Sequence, residues 1–458
     1  MARPFKKVLI ANRGEIAVRI IRACQEAGVA SVQAYSSADA DTAPVRMADE
    51  AVCIGGPKPA ESYLDSAALL RAADQTNADA VHPGYGFLSE NADFAAAMQD
   101  AGLVYIGPQP EVIRMMGDKV EARQCAIRAG VPVIPGSEGT ISSEEEAVSI
   151  ANVIGYPVLM KAAAGGGGRG MRVAHNEREL RDKLATAMSE AQTAFGSSDV
   201  YLEKFLERIR HIEVQVIGDG VNVIHLGDRD CSIQRRHQKL VEEGPAAILD
   251  ESLEDEIRQA AKALASSVGY RSAGTVEFVV DPASRKFYFI EMNTRIQVEH
   301  PVTELLTGID LIKMQLAIAG GGSLPMQQKD IRIQGHAIEI RINAENPDKG
   351  FIPCAGRITD FVMPSGPGIR VDTHAYAGYE LPTHYDSLLA KVIVWGQDRN
   401  EALARLRRAL GESRIEGITT NLAFHRRLLQ EGDFLQNNTH TRFIKEQMYS
   451  KHPMRHLL

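Results

Sequence analysis

The sequence predicts an α/β protein: an open, doubly wound parallel sheet first, then α+β and mixed parts. Three observations carry this. Strand and helix patterns alternate over the first hundred or so residues. A stretch rich in Pro and Gly, around 131–139, then interrupts the chain. From His211 onward strand patterns dominate. Alternating β and α segments are the pattern of a parallel sheet flanked by helices.

Residues 5–11 form an apolar run of strand length. Residues 14–27 place Ile16, Ile20, Ile21 and Cys24 at helical spacing, and Gly28 ends that helix. Further strands are expected at 31–36, 51–54, 78–82 and 103–106, with helices at 61–76 and 91–101. The turn Asn12-Arg13-Gly14-Glu15 lacks the G-x-G-x-x-G fingerprint, so dinucleotide binding is not indicated. The next unit, to about residue 205, reads as a helix (144–154), a strand ending at Lys161, a glycine loop, a strand (171–174) and a long helix (177–195). Strands follow at 211–217, 221–227, 274–280 and 286–292, then a mixed tail. The chain shows no internal repeat and no low-complexity tract.

Size and composition agree. A chain of 458 residues is too long for one ordinary core, and 44% apolar with 24% charged residues is a globular composition. The net charge of −8 opposes general nucleic-acid binding. No apolar run approaches the roughly 18 residues of a membrane helix. The apolar stretch near the start is too short for a signal peptide, so a cytoplasmic location is expected. Cys24, Cys53, Cys125, Cys231 and Cys354 lack metal or redox spacing and are expected to be free thiols, mostly buried.

Four segments carry chemistry. Lys161 is followed by Gly165, Gly166, Gly167 and Gly168, then Arg169 and Met171. Glycines let backbone N–H groups approach phosphate oxygens, although a bare glycine run serves equally as a linker. No G-K-[S/T] ends the loop, so it is not a Walker A. Secondly, Glu277 and Glu291 sit within apolar strands joined by a turn at 281–286. Buried carboxylates need a partner or a metal, and with the Asn293 amide they form a hard-oxygen set suited to magnesium. Thirdly, Arg295, Gln297 and Glu299 alternate, which in an extended chain places them on one face. An exposed ion pair would produce the same pattern. Fourthly, the run from Gln234 to Lys239 is basic, and alone reads as a charged loop.

These signals, in this order, occur with Ile10-Ala-Asn-Arg-Gly-Glu15, His82-Pro-Gly-Tyr-Gly-Phe-Leu-Ser-Glu90, Met116-Gly-Asp-Lys119 and Glu339-Ile-Arg341-Ile-Asn-Ala-Glu345. Together they closely resemble the biotin carboxylases of the ATP-grasp superfamily, essentially end to end. The resemblance implies an N-terminal Rossmann-like domain (1–116), a linker helix (117–133), an ATP-grasp lid (134–205) and a larger mixed C-terminal part (206–458). ATP is expected between the lid and that C-terminal part. Lys119 and Lys161 match phosphate-contacting lysines, and Gly165 to Gly168 with Met171 match the lid loop and its adenine contact. Glu203, Lys204 and Leu206 match the adenine-reading hinge. His211, Gln234 and His237 match ribose and phosphate neighbours. Glu277, Glu291 and Asn293 match the positions for Mg2+ or Mn2+. Lys239, Arg295, Gln297, Val298 and Glu299 match the bicarbonate pocket. Arg341 matches the arginine facing biotin, with Tyr85 and Asp386 around it.

The implied reaction makes Glu299 the general base on bicarbonate, which attacks the γ-phosphoryl group of ATP. The resulting carboxyphosphate supplies carbon dioxide to biotin, whose ureido oxygen faces Arg341. The resemblance also implies a homodimer through surfaces including Arg19, Arg22, Glu26 and Arg370, although the segment 364–368 lacks an aromatic found in some members. No Ala-Met-Lys-Met block occurs, so biotin is expected on a separate carrier protein, with a separate carboxyltransferase. An acetyl-CoA carboxylase subunit is the favoured assignment; a pyruvate or other acyl-CoA carboxylase subunit has the same motifs. A different ATP-grasp ligase would not need the block around Arg341. A non-catalytic nucleotide-binding scaffold would lack some of Lys239, Glu277, Glu291, Arg295, Glu299 and Arg341, and all are present.

Overall fold

The structure, a computed structural model, describes residues 5–162, 171–195 and 197–448. The chain opens with β1 (Lys7–Ile10), α1 (Gly14–Ala27), β2 (Ala30–Ser36), α2 (Ala43–Met47), β3 (Glu50–Gly55), α3 (Ser66–Thr76), β4 (Ala80–His82), α4 (Ala92–Asp100) and β5 (Val104–Tyr105). The strands form one parallel sheet in the order β3-β2-β1-β4-β5, growing outward from β1 in both directions. This is the doubly wound arrangement that the alternating pattern predicts. Gly14 enters α1 at φ +69, and Gly28 closes it in the left-handed conformation. Ile16, Ile20 and Ile21 on the helix are buried, and burying each contributes about 1.5–3 kcal/mol. The helix expected from residue 61 begins only at Ser66. Asp65 accepts the Ala68 N–H (3.0 Å) and so fixes the start there.

Helices α5 (Pro110–Gly117) and α6 (Lys119–Arg128) lead onward, with Asp118 capping α6 through the Val120 and Glu121 N–H groups. Next come α7 (Glu144–Ile154), β6 (Val158–Ala162), β7 (Met171–Ala174), α8 (Glu177–Phe195) and β8 (Val200–Lys204). The three strands form an antiparallel sheet, β7-β6-β8, with a core of its own that includes Val158, Met160, Leu180, Leu184 and Leu202.

The remainder is built on β9 (Arg210–Asp219), β10 (Val223–Arg235), β11 (Gln238–Gly244), α9 (Glu251–Ser267), β12 (Arg271–Asp281), β13 (Lys286–Asn293), α10 (His300–Thr307), α11 (Leu311–Ala319) and β14 (His336–Asn343). Short strands β15 (Glu345–Asn346) and β16 (Ile352–Pro353) pair, as do β17 (Gly356–Arg357) with β20 (Glu380–Leu381) and β18 (Asp360–Val362) with β22 (Arg414–Glu416). Strands β19 (Ile369–Thr373) and β21 (Leu388–Gly396) complete an eight-stranded antiparallel sheet, β13-β12-β9-β10-β11-β14-β21-β19. Helices α12 (Arg399–Glu412) and α13 (Leu422–Leu428) pack on one of its faces through Ile338, Ile340 and Ile342. No described helix is long and apolar enough to cross a membrane.

Two sequence expectations change here. The strand expected at 221–227 continues to Arg235, and the basic run from Gln234 to Lys239 is the turn of the β10–β11 hairpin rather than a loose loop. Arg236 and His237 take positive φ at its tip. Ile10, Ile16 and Ile20 share one core with Ile217, Ile224 and Leu226, so the parallel sheet and the large sheet hold each other in place. Cys24, Cys125 and Cys231 are buried and all five described cysteines are free thiols, as expected.

His82 and His374 are buried, and burial holds both near pKa 3 rather than 6.5. A histidine kept neutral in the folded chain contributes stability above its unfolded pKa and loses it as pH falls toward its folded pKa. Each is therefore expected to cost about 2 kcal/mol between pH ~6.5 and pH ~5. Urea unfolding at neutral and mildly acidic pH measures this. His374→Gln is expected to flatten the dependence, and an equally steep slope would show that His374 is not held neutral.

Candidate functional site

The site grows from three central strands of the large sheet. Glu213 on β9 and Glu277 on β12 are register partners, so their side chains lie on one face. Two buried carboxylates side by side repel, and Lys239 at the start of β11 resolves the conflict. Its Nζ lies 2.5 Å from Glu213, 2.8 Å from Glu277 and 2.7 Å from Glu299. Burial works against the Lys239 charge, but the three carboxylates overcome it and raise its pKa well above normal. Burial likewise opposes ionisation of Glu277, yet Lys239 and His211 hold it well below the usual range. Glu299, at the N-terminus of α10, is lowered too, because Lys239, Arg341 and Arg229 outweigh its burial.

Arg229, buried on β10, braces this cluster. It donates to Glu213 (2.6 Å), Gln215 (2.9 Å), Thr303 (2.7 Å) and Gln297 (3.0 Å). Gln297 in turn donates to Glu277 (2.9 Å). Arg341 on β14 reaches Glu299 (3.0 Å) and is held from behind by Glu242 on β11 (2.7 Å). Its charge is reinforced, because Glu242 and Glu299 outweigh the burial. Val298 presents its carbonyl to Lys391 on β21 (2.7 Å).

The expected single face of Arg295, Gln297 and Glu299 is only partly formed. The segment is irregular and then turns into α10: Glu299 accepts from Lys239, Gln297 donates to Glu277, and Arg295, close to both carboxylates, reaches on toward the parallel-sheet unit. There Arg295 pairs with Glu90 (2.9 Å) and donates to Asn293 Oδ1 (2.8 Å). Glu90 stands in a stretch already singled out by its motif. Glu213 and Arg229 were missed, yet the alternation of polar and apolar residues in 211–216 marks a strand face with polar work to do, and Arg229 lies between two aspartates in the next strand.

Glu277, Glu291 and Asn293, the expected cation set, lie together on β12 and β13. Glu277 and Glu291 are partners across β12 and β13, and Asn293 Nδ2 donates to Glu277 (2.9 Å). Glu291 is exposed toward solvent and accepts no hydrogen bond from a described residue. Its surroundings and the neighbouring Glu277 charge push its pKa up, an anion pair that a divalent cation would neutralise. His211, Glu213 and Glu277 also offer ligand atoms within 4.8 Å of one another, but the Lys239 ammonium already binds two of the three.

The expected nucleotide contacts line the neighbouring sheet. Lys161 on β6 pairs with Glu203 on β8. Lys204 donates to the carbonyls of Gly155 (3.1 Å) and Tyr156 (2.7 Å), so its ammonium steadies the turn before β6. Leu206 is half-buried, while Met171 and Lys119 are exposed. His211 Nε2 lies 2.8 Å from Glu277, and Gln234 lies 3.2 Å from His211 Nδ1. His237 is exposed at the hairpin tip, and Gly165 to Gly168 and Arg169 lie outside the described residues. Tyr85 donates to Glu15, which also meets Lys391 (3.1 Å). Asp386 is exposed and stands 3.9 Å from Arg13. Of the surface residues expected to join two copies, Arg19 is buried within the chain on Glu304 (2.9 Å) and Asp310 (2.6 Å); Arg22 and Glu26 are exposed. Arg370 is part-buried on Glu304 and Asp372.

Comparison with known proteins gives matches along the length of the chain. Residues 4–113 match the family model "Biotin carboxylase, N-terminal domain". Residues 118–327 match "Carbamoyl-phosphate synthase L chain, ATP binding domain", and 339–446 match "Biotin carboxylase C-terminal domain". A biotin carboxylase of Nostoc is 53% identical over 96% of this chain and 99% of its own. One of the subunits of the pyruvate carboxylase of Methanothermobacter thermautotrophicus is 51% identical over 96% of this chain and 90% of its own. The biotin carboxylase domain dimer of a Hydrogenobacter thermophilus 2-oxoglutarate carboxylase, solved with MgADP, ADP and bicarbonate, is 47% identical. It covers 99% of each chain with a TM-score of 0.90.

Removing the charge of Glu291 is expected to raise the magnesium concentration needed for half-maximal ATP cleavage by roughly tenfold or more, the scale of a lost cation contact. A magnesium titration of Glu291→Gln checks this; an unchanged midpoint would remove Glu291 from the cation set.

Proposed function

The chain belongs to the biotin carboxylase family of ATP-grasp enzymes, and on that premise we propose that it carboxylates biotin with bicarbonate and ATP, with its residues in the following roles. The observation that carries the assignment is the convergence of Lys239, Arg341 and the ionised Glu299 within one buried network. That network offers two fixed cations and one base to a small anion. The nucleotide lies between the sheet β7-β6-β8 and the large sheet. Lys119 and Lys161 contact its phosphates, and Met171, Glu203, Lys204 and Leu206 its adenine. Gln234, His211 and His237 stand beside its ribose and phosphates. Glu277, Glu291 and Asn293 would hold Mg2+, which would neutralise charge on the phosphate oxygens.

Lys239, Arg295, Gln297 and the Val298 backbone position bicarbonate. Glu299 takes its proton, and the resulting oxygen attacks the γ-phosphoryl group to release ADP and leave carboxyphosphate. Fixed cations lower this barrier because they are already in place where charge develops. Carboxyphosphate gives carbon dioxide and phosphate, and the phosphate takes the N1 proton of biotin. Arg341 holds the ureido oxygen as it gains charge, with Tyr85 and Asp386 shaping the entrance. Exclusion of water protects the intermediate.

Biotin arrives on a biotin carboxyl carrier protein, and a separate carboxyltransferase uses the product. Two copies pair, a reading supported by the domain dimer of the Hydrogenobacter relative, and the side that holds Arg22, Glu26 and Arg370 is the proposed surface. The cytoplasm is the proposed location. Acetyl-CoA is the favoured final acceptor. Pyruvate or 2-oxoglutarate is the second reading, favoured by similarity to parts of those carboxylases.

Phosphate release from ATP, measured with and without bicarbonate and with free biotin, tests the whole assignment. Bicarbonate-independent release would overturn it. Arg341→Ser is expected to keep bicarbonate-dependent ATP cleavage while losing biotin carboxylation; retained carboxylation would remove Arg341 from the mechanism. Glu299→Ala is expected to slow ATP cleavage by roughly 100-fold or more, the scale of general-base loss. A near-normal rate would show that another group takes the proton.

A further inference from the structure

Behind Arg341 lies a second carboxylate cluster that the mechanism does not use. Glu242 on β11 and Glu339 on β14 are direct register partners, and both are fully buried. Glu242 Oε1 accepts from Arg341 Nε (2.7 Å), and Nη2 of the same guanidinium stands 2.5 Å away as an ion pair. Neither oxygen of Glu339 has a partner among the described residues, and Glu242 Oε2 and Glu15 Oε2 are equally unpartnered.

The charges facing Glu339 come from every element on that side of the sheet. Strand β11 contributes Glu242, β14 itself Arg341, β21 Lys391, and β19 Arg370 and Asp372. Glu299 adds its charge from the N-terminus of α10, while Glu15 on α1 meets Lys391, and His300 and Glu304 on α10 face Lys391 and Arg370. Helices α12 and α13 cover the opposite face, against Ile338, Ile340 and Ile342. Lys391 is the cation that acts most strongly on Glu339, yet its Nζ is committed to Glu15 (3.1 Å), the Val298 carbonyl (2.7 Å) and, more loosely, Asp372 (3.8 Å). Arg341 is committed to Glu242 and Glu299. A second ionised carboxylate opposite Glu242, with no donor, would be a buried anion without compensation.

We propose that Glu242 and Glu339 carry one proton between them behind Arg341, and that this buried acid–carboxylate pair positions the Arg341 guanidinium for the biotin ureido oxygen. The proposal rests on the role assigned to Arg341 above. The proton resides on Glu339, because Glu242 is hydrogen-bonded and ion-paired to Arg341 while Glu339 receives no donor from a described residue. The titration directions agree. Burial pushes Glu339 well above the usual carboxyl range, and raises Glu242 to about 7 even beside Arg341. A neutral Glu339 leaves Glu242 ionised to grip Arg341. It also keeps a second negative charge from competing with the oxyanion of biotin for the same guanidinium. Glu339 is thus a positioning residue that acts through Glu242 and Arg341.

Infrared spectroscopy of the full chain at neutral pH tests this proton directly. The expected result is a carbonyl stretch of a protonated carboxylic acid that shifts in D2O and is lost in Glu339→Gln. No such band in the unsubstituted protein, or a band unchanged in Glu339→Gln, would overturn the proposal. Kinetics test the positioning role. Glu339→Ala, which lets Glu242 relax into the space, is expected to lower carboxylation of free biotin about tenfold, as for other small misplacements of a reacting group. Its effect on bicarbonate-dependent ATP cleavage is expected to be smaller. The neutral isostere Glu339→Gln is expected to restore most of the carboxylation, and Glu339→Met serves where the alanine variant does not fold. A glutamine variant as impaired as the alanine variant would show that Glu339 acts as an anion and overturn the proposal. Arg341→Ser separates the two readings: if it still carboxylates biotin while the infrared band remains, the role of Arg341 fails and the proton on the pair stands.

Discussion

The ammonium of Lys239 holds together groups that would otherwise separate. Glu213, Glu277 and Glu299 approach it from β9, from β12 and from the start of α10, each within hydrogen-bonding distance. Without that cation, three adjacent buried carboxylates would bind protons, and without them a buried lysine would give its proton up. Each partner therefore fixes the charge state of the other. Arg229 extends the arrangement one layer deeper, and Gln297 ties its two halves by accepting from Arg229 while donating to Glu277. A cluster of this kind tolerates little displacement, because unpaired charge in the interior costs several kcal/mol.

The large antiparallel sheet meets that constraint by placing the charged residues on neighbouring strands, where register fixes their spacing. The parallel-sheet unit supplies the missing wall. Glu90 holds Arg295, and Glu15 joins Tyr85 to Lys391, which in turn holds the Val298 carbonyl beside Glu299. A core shared between α1, β1, β9 and β10 keeps the two units in one relation. The sheet β7-β6-β8 has its own core and joins the site through fewer groups, which suits an element that covers a nucleotide.

Local pattern was enough to read α1 from its isoleucines and Gly28, and the β12–β13 hairpin from its two apolar runs. Alternation of strand and helix was enough to read the parallel sheet. The start of α3 was misread because its apolar spacing continues upstream of Asp65, and only the cap shows where the helix begins. The β10–β11 hairpin was hidden by its own charge: a run such as 234–239 reads as a loop until the partner carboxylates of Lys239, 26 to 60 residues away, are brought beside it. Arg229 and Glu213 were invisible for the same reason, since their importance lies in cross-strand partners. The Glu90 partner of Arg295 is not legible from the spacing of Arg295, Gln297 and Glu299, because it lies 205 residues away in the parallel-sheet unit. Motif resemblance gathered most of the site residues without these contacts, but it could not say which charges neutralise which.

The proton affinity of Glu299 shows why those pairings matter. A general base works best when its pKa lies near the pH at which it operates. In the resting site Lys239 and Arg341 hold the Glu299 carboxyl far below that range, so it is a poor base. The same cations are the ones assigned to the reacting anions. When phosphate and bicarbonate oxygens draw on Lys239, and the ureido oxygen draws on Arg341, Glu299 loses part of what stabilises its charge, and its proton affinity rises. Each pKa unit so gained corresponds to about 1.4 kcal/mol of interaction transferred from the carboxylate to the substrates. On the proposed roles, basicity appears only when the substrates are in place. An enzyme that cleaves ATP ahead of its acceptor benefits from that order, because a base idle in the empty site does not activate water against the γ-phosphoryl group.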